Sequence, residues 1–222
     1  MSANLMSLAR SGGKFLKLFG DRKMVKQLPY DAEVEYLESD GNQFIKVQGK
    51  ISSTSRITVT FKYTGATFSQ FAPFGGGDGN LMYEATLISG SSSTGKWIYR
   101  CNGNQNLKVV NLDNLQVHTI TWYKDGAILD GVDYPSLTTT SDFTPTRDYF
   151  GLFSNLRKGD NNPIFTMRGY IMFAQVYDNG VLVRDFIPVR VVTVGYMYDK
   201  ISGQLFGNAG TGEFVIGPDK TI

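Results

Sequence analysis

The chain has few of the residues on which covalent cross-links and metal sites depend. Its 222 residues include one cysteine, Cys101, and one histidine, His118. A single cysteine cannot form an internal disulfide, so the fold has to rest on packing, and the thiol is expected to fill space in the core. One histidine excludes a histidine-rich metal site and argues against a Ser-His-Asp triad. We therefore expect neither a bound metal nor a cofactor.

Charge and long apolar runs are also scarce. Charged residues make up 19% of the chain and the net charge is +2, so no overall basic field attracts nucleic acid. No stretch approaches the roughly 20 apolar residues of a membrane span. Near the N-terminus Gly12, Gly13 and Lys17 interrupt the apolar residues, which does not suit a secretory signal. The expectation is a protein made and assembled in a cytoplasm, without nucleic-acid or membrane binding.

What the chain has in quantity is glycine, with 25 residues, and aromatic side chains, with 15 Phe and 12 Tyr. This composition suits short strands joined by tight turns. Over residues 57–63 apolar residues alternate with polar ones, which is the period of a half-buried strand. Predicted strands recur roughly every 8–12 residues between Gly, Asn and Asp. The sequence therefore predicts an all-β fold, an antiparallel sandwich.

Turn residues predict three hairpins. They join residues 34–39 to 42–47 through Asp40-Gly41, residues 117–123 to 127–129 through Lys124-Asp125-Gly126, and residues 169–177 to 181–189 through Asp178-Asn179-Gly180. Residues 81–88 and 96–101 are further predicted strands. Residues 170–174 are apolar on both faces, which predicts a central strand that is covered on both sides.

Residues 1–27 differ from the body, residues 28–222. Their basic and apolar residues form a predicted docking arm, whose members are Arg10, Lys14, Phe15, Lys17, Leu18, Phe19, Arg22 and Lys23. The apolar members lie three and four residues apart, which suits a short amphipathic turn or helix that orders against a partner. A solvated terminus and a membrane-surface segment are the alternatives.

Three segments of the body carry distinctive motifs. They are YLESDGNQFI at residues 36–45, VHTITWY at residues 117–123 followed by Asp130-Gly131, and GYMYD at residues 195–199 followed by FGNAGTGEF at residues 206–214. Together they resemble the opening, central and closing segments of concanavalin A-like and laminin-G-like jelly-roll domains, which are common in phage and gut-bacterial proteins. The resemblance extends from about residue 30 to residue 218.

The resemblance implies a two-sheet antiparallel jelly-roll sandwich with a short N-terminal arm, which binds any ligand on a concave face or at edge loops. Its relatives imply a phage virion structural protein, a head-fibre or capsid-decoration subunit assembled in the host cytoplasm. The arm would then dock the body to a capsid or tail shell, and the protein would be a homo-oligomer, with a trimer preferred by analogy with phage fibres. The alternative is a carbohydrate-binding receptor-recognition module of a tail fibre, or a secreted or surface glycan-binding domain. Fold alone does not fix function.

Sugar binding needs an exposed aromatic platform beside amide and carboxylate groups. The candidate ligand-binding residues are Trp97, Tyr99, Asn102, Asn104 and Asn106, in a predicted strand and the segment after it. The alternative is that Trp97 and Tyr99 belong to the core. A bound host glycan is therefore one possible partner.

No catalytic residue is assigned. Glu33-x-Glu35-x-x-Glu38 is similar to the acidic run of laminarinase-type hydrolases of this fold, but its middle residue is Glu and it lies on the first strand, so we expect no enzyme activity. Aspartates in predicted turns could hold calcium, yet turn chemistry alone explains them. His118 alternates with Ile120 and Trp122, which predicts a partnered strand histidine and not a catalytic base.

Overall fold

The structure is a computed structural model that describes residues 28–65, 71–77, 82–89, 95–101, 104–109, 115–135, 142–143, 148–157 and 163–221. For residues 77, 82–89, 95–101, 104–109 and 157 it describes the backbone alone. All regular structure in these ranges is β-strand, and they contain no helix that could cross a membrane. The predicted docking arm, residues 1–27, lies outside the described residues.

The strands form two sheets. The larger one has the order β11-β10-β9-β4-β15-β16-β17-β18, with β2 beside β15, β19 beside β2 and β1 beside β16. Its strands are β1 (Ala32–Glu33), β2 (Leu37–Asp40), β4 (Ser55–Tyr63), β9 (Val117–Tyr123), β10 (Gly126–Leu129), β11 (Val132–Pro135), β15 (Arg168–Asp178), β16 (Val181–Val191), β17 (Val194–Asp199), β18 (Gln204–Phe206) and β19 (Val215–Ile216).

In the described residues the smaller sheet has eight strands, with β3, β12, β5, β6, β7 and β8 side by side, β13 next to β5 and β14 next to β13. Its strands are β3 (Ile45–Gln48), β5 (Phe74–Gly77), β6 (Met82–Ser89), β7 (Gly95–Cys101), β8 (Asn104–Val109), β12 (Tyr149–Leu152), β13 (Asn155–Arg157) and β14 (Pro163–Ile164). Every pairing in the two sheets is antiparallel except that of β13 with β5. The predicted all-β sandwich is confirmed.

The core lies between the sheets, and β4 shows how alternation builds it. Ile57, Val59 and Phe61 are fully buried, whereas the residues between them are half-buried on the other face. Trp122 of β9 and Phe150 of β12 join the same buried cluster from the two sheets. Each fully buried Ile or Phe contributes about 1.5–3 kcal/mol of hydrophobic free energy.

Two of the three predicted hairpins are confirmed. β9 and β10 pair directly across a two-residue turn. β15 and β16 are joined through Asn179 and Gly180, with φ of 49° and 77°, which a type I′ turn requires. Asp178 Oδ1 at this turn accepts hydrogen bonds from Ser52 Oγ (3.0 Å) and Thr54 Oγ1 (2.6 Å), which fix the turn to the segment before β4.

β15 is central, as predicted, but only one of its faces is fully buried; on the other face the Tyr36 ring stacks on Tyr170, with centroids 4.1 Å apart. Ile171, Ala174 and Val176 are buried in the core. On the other face Tyr170 and Phe173 are half-buried. A bulge between Ile171 and Phe173 adds a residue to this apolar run, so its outer side is broader than a regular strand would present.

The predicted hairpin at Asp40-Gly41 is wrong. β2 pairs with β15 and β19 in the larger sheet, whereas β3 pairs with β12 in the smaller one, so the turn carries the chain between sheets. The reason is Gln43, whose Oε1 accepts hydrogen bonds from the Asp40 N–H (2.9 Å) and from Ser39 Oγ (3.0 Å). A side-chain amide therefore occupies groups that a partner strand would otherwise satisfy.

The turn is held by the closing segment of the chain. We call the contact between residues 39–44 and 208–212 the clasp. The Ala209 N–H donates to the Phe44 carbonyl (2.8 Å) and the Thr211 N–H to the Asn42 carbonyl (3.2 Å). Gln43 Nε2 donates to the Thr211 carbonyl (3.2 Å). The two segments that carry the strongest family resemblance thus bind each other.

Asn208 satisfies the remaining backbone groups of the clasp. Its Oδ1 accepts hydrogen bonds from the N–H groups of Phe44 (3.2 Å) and Gly210 (2.8 Å), and its Nδ2 donates to the Gly212 carbonyl (2.8 Å). Gly210 is required because a Cβ there would lie 2.0 Å from the Asn42 carbonyl oxygen. The clasp therefore needs an amide and a glycine at these positions.

The turn between β17 and β18 is built around Asp199, which is fully buried. Its carboxylate accepts hydrogen bonds from the N–H groups of Asp185 (2.9 Å) and Ile201 (3.1 Å), from Ser202 Oγ (2.7 Å) and from Arg184 Nη1 (3.3 Å). This arrangement fixes the start of β18 against the end of β17.

We expect Asn208→Ala to lower the free energy of unfolding by about 2–3 kcal/mol, because it leaves backbone groups of the clasp without partners. Urea unfolding followed by tryptophan fluorescence measures the change. Asn42→Ala is the matched control: Asn42 is exposed and its side chain makes no hydrogen bond within the described residues, so the change should stay within about 0.5 kcal/mol. Equal losses in the two variants would contradict the role of Asn208.

Candidate functional site

A cleft of about 390 Å³ lies beside the clasp, where β3 and β12 of the smaller sheet meet β18 of the larger one. Its lining residues are Lys46, Gln48, Asp148, Tyr149 and Phe206. Concave sites that combine aromatic surface with a few polar groups are the usual places for small ligands. The cleft is therefore the candidate functional site.

Strand alternation determines which side chains form the first wall of the cleft. Ile45 and Val47 of β3 are buried in the core, so Lys46 and Gln48 point outward and are exposed. Tyr149 of β12 lies directly opposite Gln48 in the antiparallel register, which puts both side chains on the outer face of the sheet.

The opposite wall is Phe206, which the clasp and the Asp199 turn hold from either side. Its ring packs edge-on against the buried ring of Phe186, with centroids 5.5 Å apart and an interplanar angle of 81°. Because Asn208 follows Phe206 closely in the chain and binds Phe44 just before β3, the clasp sets the separation of the two walls.

Charged groups are already organised around the cleft. Lys46 Nζ lies 4.1 Å from the centroid of the Tyr149 ring, a cation–π contact worth about 0.5–1 kcal/mol at an exposed site. Lys50 Nζ lies 3.2 Å from Asp148 Oδ1. Arg184 Nη2 donates to the Gln48 carbonyl (3.0 Å), which ties the end of β3 to the larger sheet.

The lining groups suit the binding of a small polar ligand. Tyr149 and Phe206 offer apolar ring surface, Gln48 both donors and acceptors, Asp148 acceptors, and Lys46 donors. Glycoside hydrolysis by the common mechanisms needs two carboxyl groups facing each other, and among the lining residues only Asp148 carries one.

The sequence-predicted ligand residues lie elsewhere. Trp97 and Tyr99 are on β7, and Asn104 and Asn106 on β8, whereas Asn102 lies outside the described residues. The backbone register pairs Tyr99 with Asn106, so these strand positions share one face of the sheet. β7 and β8 are at the opposite end of that sheet from β3 and β12. The structure does not bring them to the cleft, and their role stays a prediction.

The sequence reasoning missed all five cleft residues. The alternation of residues 45–48 predicts that Lys46 and Gln48 point outward. This alternation is the feature of the sequence that could have identified them as surface residues. Tyr149 and Phe206 are far from them in the chain, and only the β3–β12 pairing and the clasp bring the three segments together.

The glutamates of the hydrolase-like run are dispersed. Glu33 is on β1, which pairs with β16, and it accepts a hydrogen bond from Tyr30 Oη (3.2 Å). Glu38 is on β2, opposite Tyr170 of β15. Within the described ranges, no three His, Cys, Asp or Glu side chains group closely enough to hold a metal ion.

His118 is partnered, as its strand position predicts. Its Nδ1 lies 2.7 Å from Asp130 Oδ2, and Asp130 Oδ1 accepts the Thr119 N–H (2.8 Å). Asp130 has a φ of 49° and begins the turn between β10 and β11. Its bonds to His118 and Thr119 therefore stabilise this turn against β9.

Comparison with known proteins supports the fold. No family model matches the chain, and no curated protein matches it significantly. Among solved structures it is similar to the native heptameric SAP-like pentraxin from Limulus polyphemus, with a TM-score of 0.51 and 10% identity over 86% of this chain and 96% of the pentraxin chain. This likeness shows the fold alone: a two-sheet sandwich of the jelly-roll kind.

Glu38 provides a test of the environment around the predicted acidic run. Burial raises the pKa of its carboxyl above the ordinary value of 4.5, and nearby Lys62 lowers it to a smaller extent. A raised pKa in the folded state means that the protonated form stabilises the protein below pH 4.5, and that this contribution is lost as the pH rises through the raised pKa. Glu38→Gln should therefore gain stability relative to wild type between pH 4 and pH 7.

Thermal unfolding at both pH values measures this gain. Glu35→Gln, at an exposed glutamate of the same run, is the control and should track wild type. The raised pKa of Glu38 would be contradicted if Glu38→Gln were less stable than wild type at pH 7 and the loss were equally large at pH 4.

Proposed function

We propose that this protein is a lectin-like glycan-binding module and that the cleft is its glycan site. The observation that carries the proposal is the lining of the cleft, in which two aromatic rings stand beside an amide, a carboxylate and an ammonium group. The jelly-roll fold agrees with it but does not decide it.

The chemistry of the lining matches the chemistry of a sugar. A sugar ring has apolar C–H faces, which pack on aromatic rings such as those of Tyr149 and Phe206. Its hydroxyl groups both donate and accept hydrogen bonds, which Gln48 and Asp148 can complement. At about 390 Å³ the cleft falls in the lower part of the roughly 300–1,000 Å³ range of ligand sites, so it suits the end of a glycan and not a long chain.

The cleft is largely preformed, because its walls belong to paired strands and to the clasp. Preorganisation reduces the entropic cost of binding. Gln48 and Asp148 are nevertheless exposed, and water competes for exposed groups. We expect a dissociation constant on the order of 0.1–1 mM for a single site.

A glycan array on the full chain, followed by calorimetry on the best ligand, tests the site. Asp148→Asn should weaken binding about tenfold, since it replaces a charged acceptor worth about 1.4 kcal/mol or more, and Tyr149→Ala should weaken it further. Asp142→Asn is the matched control, because Asp142 is also exposed and paired with a lysine, at 2.7 Å from Lys124 Nζ. It lies outside the cleft and should bind normally. A blank array, or binding that Asp148→Asn and Tyr149→Ala leave unchanged, would refute the proposal.

For the biological setting we propose a phage virion, in which residues 1–27 dock the body to a capsid or tail shell and the cleft contacts a host glycan. The support is the basic, partly apolar sequence of the arm and the way the body begins. Tyr30, close behind the arm, packs edge-on against Tyr198 at 5.0 Å and belongs to a small cluster with Ile187 and Val189. The chain is thus held to the larger sheet directly after the arm.

Deletion of residues 1–27 should leave a soluble, folded body that no longer joins virus particles. Particle incorporation, measured on purified particles, checks this expectation. Unchanged incorporation of the deleted chain would contradict the docking role of the arm.

A further inference from the structure

We infer that the outer face of the larger sheet is a contact surface for a second copy of this chain. We call this surface, the outward side of the five neighbouring strands β10, β9, β4, β15 and β16, the threonine face. Its polar side chains are paired with one another or with groups beside the face. The inference is independent of glycan binding.

Cross-strand threonine pairs occupy the centre of the face. Thr58 Oγ1 lies 2.9 Å from Thr121 Oγ1, and Thr60 Oγ1 lies 2.9 Å from Thr119 Oγ1. Burying a polar group costs free energy chiefly when it loses its hydrogen bonds. Because these hydroxyls bond each other, a partner can cover them at low cost.

The neighbouring polar residues are paired in the same way. Tyr177 Oη donates to Gln175 Oε1 (3.3 Å), Gln175 Nε2 donates to Asp185 Oδ1 (3.1 Å), and Asp185 Oδ2 lies 2.7 Å from Lys200 Nζ. A sugar is recognised by groups that can give it new hydrogen bonds. Half-buried groups that already bond each other can give a sugar few new bonds, so this face favours a protein partner over a glycan.

Half-buried aromatic rings surround the threonine pairs. Tyr123 of β9 and Tyr170, Phe173 and Tyr177 of β15 all lie on this side and are half-buried. Tyr123 is fixed, since its Oη donates to Asp133 Oδ1 at 2.6 Å; burial and this bond raise its pKa to about 12. Tyrosine and phenylalanine are enriched at protein interfaces, where fixed rings cost little entropy to bury. The sequence also predicts that this side of β15 is covered.

Charge selects a second copy as the occupant. Arg56 and Lys62 of β4 carry positive charge on this face, and Glu38 of the neighbouring β2 carries negative charge. A contact between identical surfaces needs both signs on the same patch. The basic arm, in contrast, would meet Arg56 and Lys62.

The size of the face also fits. β4 is nine residues long, about 30 Å at 3.4 Å per residue, and the five strands from β10 to β16 are about 24 Å wide, which gives roughly 700 Å². A stable interface buries about 800 Å² on each partner, and two such sheets can stack face to face about 10 Å apart. An isologous contact of this kind makes a dimer, whereas the fibre analogy predicted a trimer.

Sedimentation equilibrium of the full chain tests the inference. Wild type should be dimeric at micromolar concentration, and Thr58→Arg should raise the dissociation constant at least tenfold, because it sets a further cation beside Arg56 on both copies. Thr193→Arg is the matched control, since Thr193 is exposed at the β16–β17 turn, away from the face; it should dimerise as wild type does. If Thr58→Arg fails to fold, Gln175→Lys takes its place, with folding checked by circular dichroism.

A monomeric wild type overturns the inference, and so does an oligomer that both face variants leave intact. Loss of glycan binding in Thr58→Arg with a monomeric wild type would identify the face as a glycan site instead. Asp148→Asn should leave dimerisation unchanged, so failure of the cleft as a glycan site and failure of this inference are separate results.

Discussion

Asn208 and Gln43 join the two ends of the body through side-chain amides that satisfy backbone groups in both segments. The clasp they form holds a turn that moves the chain from one sheet to the other, since β2 and β3 belong to different sheets. Without a partner strand at that turn, its backbone groups depend on these amides. The position of β3 relative to β18, and with it the cleft between Lys46 and Phe206, follows from the clasp.

The family-like motifs therefore describe the architecture more than the binding site. Residues 36–45 and 206–214 carry the resemblance to other jelly rolls, and in this chain they meet in the clasp through an amide, a tight turn and a glycine in close approach. Of the cleft residues, Lys46, Gln48, Asp148 and Tyr149 lie outside these motifs, and Phe206 is the first residue of the closing one.

Local pattern predicted most of the strands because alternation is a local property. Ile57, Val59 and Phe61 face inward as their spacing predicts, and Asn179-Gly180 forms the expected turn. At Asp40-Gly41 the same turn signal led to an error, because the bonds that decide the path come from Gln43 and from a segment far along the chain. The cleft could not be predicted for a related reason: Tyr149 and Phe206 reach Lys46 only through non-local strand pairing.

The two proposed surfaces differ in how exposed their polar groups are. Exposed polar side chains and aromatic rings line the cleft, which suits a small hydroxylated ligand. The threonine face presents hydroxyls and amides that are already paired, together with rings, which suits a flat protein surface. One sandwich can thus offer the cleft and the threonine face to different partners.

Native-state hydrogen exchange measures most directly whether the clasp holds this arrangement together. The account predicts that the amides of Phe44, Ala209 and Thr211 exchange only by global unfolding, with the same free energy as the amides of Phe61 and Ala174 in the central strands. Exchange of the three clasp amides through local opening, at a free energy several kcal/mol below that of the central strands, would contradict it.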